Sequence, residues 1–233
     1  MRPSPGPVRP PLESVAAPKQ ARSEETLRRI LDAAEALIEE KGLADASIPE
    51  IVRRAGSSVG GFYARLSDKN ELLRALEERF FDDLSGRLDV LANAQRWLRA
   101  PLAEIVAACV EELVTVTRQR RNLIQAFLFR ASQDPALHHD AVQFRMRVSE
   151  RITQLLLTRR RELRHPDPEI AIDLGVQLAF ALMLQLVLTG DVRAGGRPLA
   201  DTALRRELER NFLRYLGAEA DEKKTPRSSR RRA

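Results

Sequence analysis

The chain has 233 residues, 43% of them hydrophobic, which is enough to bury the core of one or two domains. A formal net charge of +6 and a sequence pI of about 10.1 favour polyanionic partners, although part of the basic excess lies in the terminal segments. A single cysteine, Cys109, excludes an internal disulfide and is typical of a reducing compartment, so the sequence predicts a cytoplasmic protein.

The two ends of the chain have the composition of disordered segments. Residues 1–22 are rich in proline, carry a net positive charge and have no apolar run of signal-peptide length, which predicts a disordered arm and not an export signal. Residues 218–233 form a basic, low-complexity tail. Two roles remain open for both segments: contact with a nucleic-acid backbone, or no more than a solvated end.

A first amphipathic helix is predicted between Ser23, a potential N-cap, and Gly42, a residue that readily takes the left-handed conformation at a helix end. Between these two positions apolar residues recur at helical spacing. They are Leu27, Ile30, Leu31, Ala34, Leu37 and Ile38.

Two shorter helices follow. Ser47 and Glu50 have the spacing of a capping box, which predicts a second helix of two turns that ends before Gly56. Gly56 supplies a tight turn, and Ser58 is placed to cap a third helix that runs to about Leu66. Helix, glycine turn and helix thus arrive in the order of a helix-turn-helix.

The segment AGSSVGGFYARLSDKNELL, residues 55–73, resembles the end of the DNA-binding domain of TetR-type bacterial transcriptional regulators. In that family an alanine and a glycine form the turn, a tyrosine ends the recognition helix and a lysine opens the long helix that follows. Ala55, Gly56, Tyr63 and Lys69 match these positions. The resemblance implies a sequence-specific DNA-binding regulator, in most cases a repressor.

The segment departs from the family pattern at two places. Gly61 stands where the family often has a threonine that contacts phosphate, and Arg65 with Leu66 replaces the commoner histidine and phenylalanine. Gly61 loses a hydroxyl contact, whereas Arg65 keeps a charge that can reach a phosphate. Adjacent glycines, Gly60 and Gly61, each cost about 1 kcal/mol against alanine inside a helix, which favours either close approach to DNA or a frayed helix end.

The predicted DNA contacts lie on the second and third helices and at the start of the fourth. Val59 offers methyl groups to a thymine methyl, and the Tyr63 hydroxyl fits a phosphate oxygen, although a half-buried packing role is equally open for Tyr63. Residues 23–71 hold seven basic and ten acidic side chains, so the domain is not a basic patch. The predicted contacts are Ser47, Arg53, Arg54, Ser58, Val59, Gly60, Gly61, Tyr63, Arg65 and Lys69.

A larger helical body is predicted after this domain. Ser67 is placed to cap a long helix whose leucines continue to Leu91, and proline or glycine separates the later helices. No strand pattern stands out. The sequence therefore predicts an all-α protein with a three-helix DNA-binding domain at 23–69 and a helical effector-binding and dimerisation domain at 70–217. The later helices are predicted at 101–118, 122–132, 135–164, 168–189 and 201–216.

The segment 170–190 is the most apolar in the chain, but Asp173, Gln177 and Gln185 interrupt it, which predicts a buried helix and no membrane span. The resemblance implies that this helix and the last one form a four-helix interface in a homodimer, which would present two recognition helices to a palindromic operator about 34–36 Å apart. Packing within one subunit is the alternative. The predicted interface residues are Leu178, Leu182, Gln185, Leu204, Leu208 and Phe212.

The resemblance also implies a small-molecule effector, of unknown identity, bound among the middle helices. The predicted lining mixes apolar surface with a few polar atoms, although the same residues would look alike if they only filled the core. These residues are Cys109, Leu113, Thr117, Phe127, Phe144 and Met146.

The sequence predicts no enzyme, no cofactor and no metal site. His138, His139 and Asp140 are adjacent, but neighbours on a helix point about 100° apart and make a poor ligand set. The glycines at 56–61 lack the lysine and hydroxyl of a phosphate-binding loop. A rival hypothesis remains open, in which a helical small-molecule-binding or adapter protein keeps the helix-turn-helix only as a scaffold.

Overall fold

The computed structural model describes residues 16–132 and 135–218, so most of the predicted arm and nearly all of the predicted tail lie outside the described residues. Within the described ranges the chain is mainly helical, which confirms the predicted all-α class. The helices are α1 (Ala16–Lys41), α2 (Ile48–Arg54), α3 (Val59–Tyr63), α4 (Lys69–Leu91), α5 (Leu102–Gln119), α6 (Arg121–Ala131), α7 (Pro135–Leu157), α8 (Pro168–Thr189) and α9 (Asp201–Tyr215).

The described residues divide into two compact units, and the boundary falls inside α4, between Arg79 and Phe80. The first unit reaches ten residues beyond the predicted boundary at Lys69. The reason is hydrophobic burial, because Leu72, Leu73 and Leu76 in the first turns of α4 are exposed by no more than 3%.

The start of α1 differs from the prediction. The helix begins at Ala16, so Ser23 lies inside it and is not the N-cap. Residues 16–22 are rich in alanine, lysine, glutamine and arginine, which favour a helix, and Pro18 is tolerated in the first turn. The predicted end is confirmed, since Gly42 follows Lys41 with a φ of 84°.

The predicted capping box of α2 does not form. Ser47 occupies the N-cap position, but its side chain accepts no capping hydrogen bond. The Glu50 carboxylate instead pairs with the Lys41 ammonium, a charge-assisted contact that is stronger than a bond to a neutral amide. The turn after α2 is as predicted, because Gly56 has a φ of 59°.

The caps of the next two helices give one confirmation and one correction. Ser58 Oγ accepts a hydrogen bond from the Gly61 amide at 3.0 Å, as predicted, although α3 already ends at Tyr63. The residue that caps α4 is Asp68 and not Ser67, since Asp68 Oδ1 accepts from the Glu71 amide at 2.8 Å. A carboxylate is the stronger acceptor for these exposed amides.

The second unit is built on α5, which packs against α8 and α9, and on α7, which packs against α8. The predicted helix at 135–164 is broken, because α7 ends at Leu157 and a 3₁₀ turn follows at Arg160–Glu162. Between them Arg159 donates to the Ala100 carbonyl at 2.9 Å and so joins the end of α7 to the start of α5.

A short β-hairpin precedes α9, where the sequence shows no strand pattern. Arg193–Ala194 pairs antiparallel with Arg197–Pro198, and Gly195 and Gly196 make the turn with φ values of 58° and 76°. Strands of two residues are too short to show alternation in the sequence.

Helix α8 has two different apolar faces. It is the one helix in the described part of the chain that is long and apolar enough to cross a membrane by length and composition, yet only 28% of its most apolar window is buried. The prediction of a buried helix is therefore right for one face only. Ile172 and Leu186 are fully buried in the core of the second unit, whereas Ile170 and Leu178 are about 60% exposed.

Candidate nucleic-acid interface

The recognition helix α3 presents one face to the core and the opposite face to solvent. Phe62 is fully buried, and Val59 and Tyr63, four residues apart, are 46% and 54% exposed. Gly60 is exposed beside Val59. Core packing therefore fixes α3 through Phe62 and leaves Val59, Gly60 and Tyr63 on a single free surface, which we call the α3 face.

The two adjacent glycines, Gly60 and Gly61, differ in the space that a side chain would have. A Cβ atom on Gly61 would lie 2.8 Å from Ser57 Oγ and 3.2 Å from Ser58 Oγ, so these hydroxyls occupy the space of a side chain. A Cβ on Gly60 would meet no atom within 4 Å, and internal packing gives no reason for that glycine. Both residues lie within α3 and not in a frayed end. Gly60 leaves the backbone of the α3 face open to close approach.

Tyr63 is placed for an external contact. Its ring meets Phe62 edge-on, with 5.3 Å between centroids and an interplanar angle of 84°. This contact orients the tyrosine ring against a buried neighbour while more than half of the side chain remains exposed. The side chain is therefore oriented by packing, but it is not the half-buried core residue of the alternative interpretation.

Two serines add hydroxyl groups to the ends of α2 and α3. Ser47 is exposed at the start of α2, and its side chain is not used for capping. Ser58 accepts the Gly61 amide through its oxygen, which leaves the hydroxyl proton able to be donated to an acceptor such as phosphate.

The two arginines at the end of α2 differ in freedom. The Arg53 side chain is 79% exposed, and its nearest carboxylate oxygen, on Glu50, is 3.9 Å away. Arg54 pairs with Glu40 at 2.6 Å, and this hydrogen bond raises the pKa of the guanidinium. Arg53 can thus meet a phosphate without breaking a close ion pair, whereas Arg54 must share or release Glu40.

The side chains of the two other predicted cations, Lys69 and Arg65, donate hydrogen bonds to backbone carbonyls of the first unit. Lys69 Nζ donates to the Leu43 carbonyl at 2.7 Å, and burial lowers the pKa of this ammonium while Asp45 opposes the shift. Arg65 donates to the carbonyls of Ser23 at 3.0 Å and Gly61 at 2.8 Å. Both were predicted to contact phosphate, but both are bound to backbone oxygens that lie far away in the sequence or in the preceding turn.

Two residues beside the site were not predicted. Ser57 places its hydroxyl next to Gly61. The sequence could have indicated this residue, because Ser57 directly precedes the predicted cap Ser58. The exposed Arg29 on α1 lies beside the turn, since its Nη1 atom is 3.5 Å from the position of a Cβ on Gly56. No local pattern could have indicated Arg29, because the contact joins residues 27 positions apart.

The second unit contains an open cleft of about 520 Å³. Its walls come from α4, the 3₁₀ turn at Ala94–Trp97 and α5. Within it Arg87 pairs with Asp83 at 2.9 Å and with Glu112 at 3.2 Å. The lining residues are Asp82, Asp83, Gly86, Arg87, Val90, Leu91, Arg96, Ala108, Glu111 and Glu112.

None of the six predicted effector residues lines this cleft. Phe127 and Phe144 are buried, and the buried Thr117 donates its hydroxyl to the Leu113 carbonyl at 2.7 Å. Met146 is instead 57% exposed. Burial raises the pKa of the Cys109 thiol to about 12, which disfavours the thiolate form.

The six predicted interface residues separate according to their helix. On α8, Leu178 is 60% exposed and Gln185 is exposed, while Leu182 is half-buried. On α9, Leu204 is only 1% exposed, and Leu208 and Phe212 pack against the core of the same unit. Leu204 is thus buried within its own unit, and most of the exposed apolar surface of these two helices lies on α8.

Among the described residues no three histidine, cysteine, aspartate or glutamate side chains are grouped closely enough to hold a metal ion. His138, His139 and Asp140 are each exposed on α7.

A short helix with an exposed face, set behind a glycine turn and a supporting helix, defines a helix-turn-helix protein. A family model described as bacterial regulatory proteins of the tetR family matches residues 30–76, and a second, described as a tetracyclin repressor-like C-terminal domain, matches residues 101–216. The chain belongs to the TetR family of bacterial transcriptional regulators.

Individual relatives agree with this assignment. The chain is similar to the HTH-type transcriptional regulator BetI of Escherichia coli O157:H7, with 32% identity over 80% of this chain and 91% of the relative. It is 32% identical to the uncharacterized HTH-type regulator YvdT of Bacillus subtilis, over 46% of this chain and 52% of that protein. A crystal structure of a TetR-family regulator from Mesorhizobium loti MAFF303099 shares the fold, with a TM-score of 0.63, 21% identity and coverage of 84% and 97%.

Proposed function

We propose that the protein is a homodimeric, cytoplasmic repressor that binds a palindromic operator through the α3 face. The observation that supports this proposal is that Val59, Gly60 and Tyr63 share one exposed surface, while the neighbouring Phe62 is buried in the core. A valine and an open backbone suit base edges in the major groove, and a tyrosine hydroxyl suits a phosphate. Ser47, Ser58 and Arg53 border this surface with donors.

The role of the charges follows from their partners. Arg54, Arg65 and Lys69 each have a close acceptor within the first unit, which leaves Arg53 as the most exposed of the predicted cations. Affinity for DNA should therefore rest on hydrogen bonds and shape more than on a large number of phosphate charges. The dependence of affinity on salt should be shallow as a result.

The test is operator binding by the full-length protein, measured by fluorescence anisotropy with DNA from upstream of its own gene. Tyr63→Phe removes one phosphate donor and should weaken binding by about five- to tenfold on all sequences. Val59→Ala should change the preferred base at one position and leave affinity for random DNA unaltered. The matched control is Tyr215→Phe, an exposed tyrosine on α9.

This assignment also separates the proposal from its rival. A helical adapter that keeps the helix-turn-helix only as a scaffold would show no operator preference, and Tyr63→Phe and Val59→Ala would both behave like Tyr215→Phe. Unaltered binding in both variants would remove the α3 face from the function.

We propose that the second copy of the chain binds the exposed face of α8. The exposed leucines and isoleucine recur along one side of the helix, at Ile170, Leu174, Leu178 and Leu188, and apolar surface of this kind is characteristic of subunit contacts. Leu204, Leu208 and Phe212 of α9, which the sequence predicts in this interface, pack against the core of the second unit, so we propose that they stabilise one subunit and not the subunit contact.

We further propose the cleft beside α4 and α5 as the effector site. Paired charges along an apolar wall offer both orientation and burial to a small polar molecule. Gly86 lines the cleft, and a Cβ there meets no atom within 4 Å, so a leucine side chain fits at this position and would fill the cleft. Gly86→Leu should therefore abolish ligand-induced changes in operator affinity while basal binding persists. Gly86→Ala is the matched control. A full effector response in Gly86→Leu would exclude the cleft.

A further inference from the structure

Arg65 lies two residues beyond the end of α3 and is half-buried between two separate parts of the first unit. Its Nη1 atom donates to the Gly61 carbonyl at 2.8 Å, and its Nε atom donates to the Ser23 carbonyl at 3.0 Å. One planar guanidinium therefore joins the recognition helix to a residue 42 positions earlier in the chain.

The contact with α3 satisfies a helix end. Gly61 lies in the last turn of α3, where carbonyl oxygens lack donors from a following turn. The Arg65 amide donates instead to the Phe62 carbonyl at 2.9 Å, and it is the Arg65 side chain that donates to Gly61. A cation at the C-terminal end of a helix is also favourable to the helix dipole.

The contact with α1 reaches a part of the helix that has little hydrophobic anchoring. Ser23 lies seven residues before the region matched by the family model, which begins at residue 30. From Ala21 to Thr26 every side chain is exposed or half-buried, and from Ala21 onward the first fully buried residue is Ile30. A hydrogen bond from Arg65 is thus well placed to dock these turns.

We infer that Arg65 is a positioning residue that ties the early turns of α1 to the end of α3, so that operator affinity depends on a segment upstream of the matched DNA-binding region. This inference rests on the proposed function and deepens it. In this inference Arg65 positions α3 and does not itself contact phosphate, in contrast to the role that the sequence predicts. The guanidinium acts on DNA only through the orientation of α3.

The binding test uses the full-length protein and compares the salt dependence of operator affinity. Arg65→Gln should weaken binding by about tenfold, because two charge-assisted hydrogen bonds are lost, while the slope of log K against log salt stays unchanged. Arg65→Lys keeps the charge but not the fork of donors and should weaken binding almost as much. Arg53→Gln provides the contrast, with a slope shallower by about 0.9.

A second measurement tests the link from Arg65 to Ser23 and Gly61 directly and needs no DNA. Amide hydrogen exchange in Arg65→Gln should be faster in α1 from residue 16 to 27 and in α3, while the buried part of α1 after Ile30 keeps its protection. Arg74→Gln, which alters an exposed arginine on α4, is the matched control and should leave both regions unaffected.

The outcomes separate this inference from the proposed function. A slope that falls by about 0.9 in Arg65→Gln, together with near-normal affinity in Arg65→Lys, would make Arg65 a phosphate contact and overturn the inference. Exchange that does not differ from the unaltered protein would overturn it as well. If the unaltered protein binds no operator, the proposed function fails, whereas the exchange experiment still decides whether Arg65 holds α1 to α3.

Discussion

The two units of the chain treat their apolar residues in opposite ways. In the first unit the helical pattern on α1 translates directly into burial, with Ile30, Ala34 and Ile38 fully buried and the α3 face limited to a valine, a tyrosine and a glycine. In the second unit α8 is apolar around most of its circumference and leaves a row of leucines exposed. The first unit buries most of its apolar residues in its own core, whereas the second unit leaves an apolar row of α8 exposed, the surface on which we propose the subunit contact.

The units also differ in how they use charge. Glu40 holds Arg54 and Glu50 holds Lys41 in the first unit, so ion pairs there fix the supporting helices of the recognition element. In the second unit Arg118 joins Asp201 at 2.7 Å and donates to the Gly190 carbonyl at the end of α8. In both units, charged side chains therefore join helices that are separate in the sequence.

The largest expected effect comes from the exposed face of α8. Leu178→Glu places a charge on the proposed subunit contact and should give a monomer in analytical ultracentrifugation, with operator affinity reduced by about a hundredfold because one half-site is lost. Leu98→Glu, at a leucine that is 67% exposed elsewhere in the second unit, is the control and should remain dimeric. A dimer that survives Leu178→Glu would erase the contrast between the two units.

The next effect tests close packing inside the second unit. A Cβ on Gly175 of α8 would lie 2.1 Å from the Phe212 ring of α9, so Gly175→Ala should lower the free energy of unfolding by about 1–3 kcal/mol in urea titrations. Phe212→Leu should restore part of this loss in the double variant. By contrast Gly86→Ala, which meets open space on α4, should raise stability by about 0.5–1 kcal/mol. Equal effects of both glycine substitutions would contradict the tight α8–α9 contact.

A smaller effect distinguishes the free arginine from the paired one at the end of α2. Arg53→Gln should make the salt slope of operator binding shallower by about 0.9, since the Arg53 side chain is 79% exposed and its nearest carboxylate oxygen, on Glu50, is 3.9 Å away. Arg54→Gln should change the slope less, because Arg54 is already neutralised by Glu40 at 2.6 Å. Identical slopes in the two variants, measured by anisotropy at several salt concentrations, would show that the intramolecular ion pair does not matter for DNA.

The smallest expected effect is a dependence of stability on acid. The hydrogen bond from Arg54 lowers the pKa of Glu40 below the usual 4.5, and contacts from Ser67 do the same for Glu71. A pKa that is lower in the folded state stabilises the fold above the unfolded value, and this contribution is lost as the pH falls below about 4.5. Thermal melts from pH 7 to pH 3 should therefore show a slightly smaller decline in Glu40→Gln, and an equal decline would remove this contribution.

Much of the fold was predictable because local periodicity and punctuation specify helices. The predicted range of α8, residues 168–189, agrees with the structure, and the glycines at 42 and 56 have the positive φ that a helix end or turn requires. Several of the errors lie at helix caps, where neighbouring acceptors compete for the same amides. Asp68 and not Ser67 caps α4, the Ser47 side chain makes no capping hydrogen bond, and the Glu50 carboxylate pairs with Lys41.

The site was predictable in its exposed part and not in its charged part. Val59, Gly60 and Tyr63 are spaced so that a helix with Phe62 in the core must present them together, and no long-range information is needed for that. Arg54 pairs with Glu40, which lies 14 residues away in the sequence. Arg65 donates to the carbonyl of Ser23, 42 residues away, and Lys69 to that of Leu43, 26 residues away. A pattern of residue types carries no information on which distant oxygen a long side chain will reach.

By itself the amino-acid sequence determined an all-helical chain of the TetR family, the position of its recognition helix and the residues on the exposed side of that helix, because these depend on spacing along one segment. Only the tertiary structure decided that Arg65 and Lys69 bind backbone carbonyls, that α9 packs inward through Phe212 on Gly175, and that α8 keeps an apolar face free. Those facts depend on which helices become neighbours, and burial and ion pairing follow from that arrangement and not from local sequence.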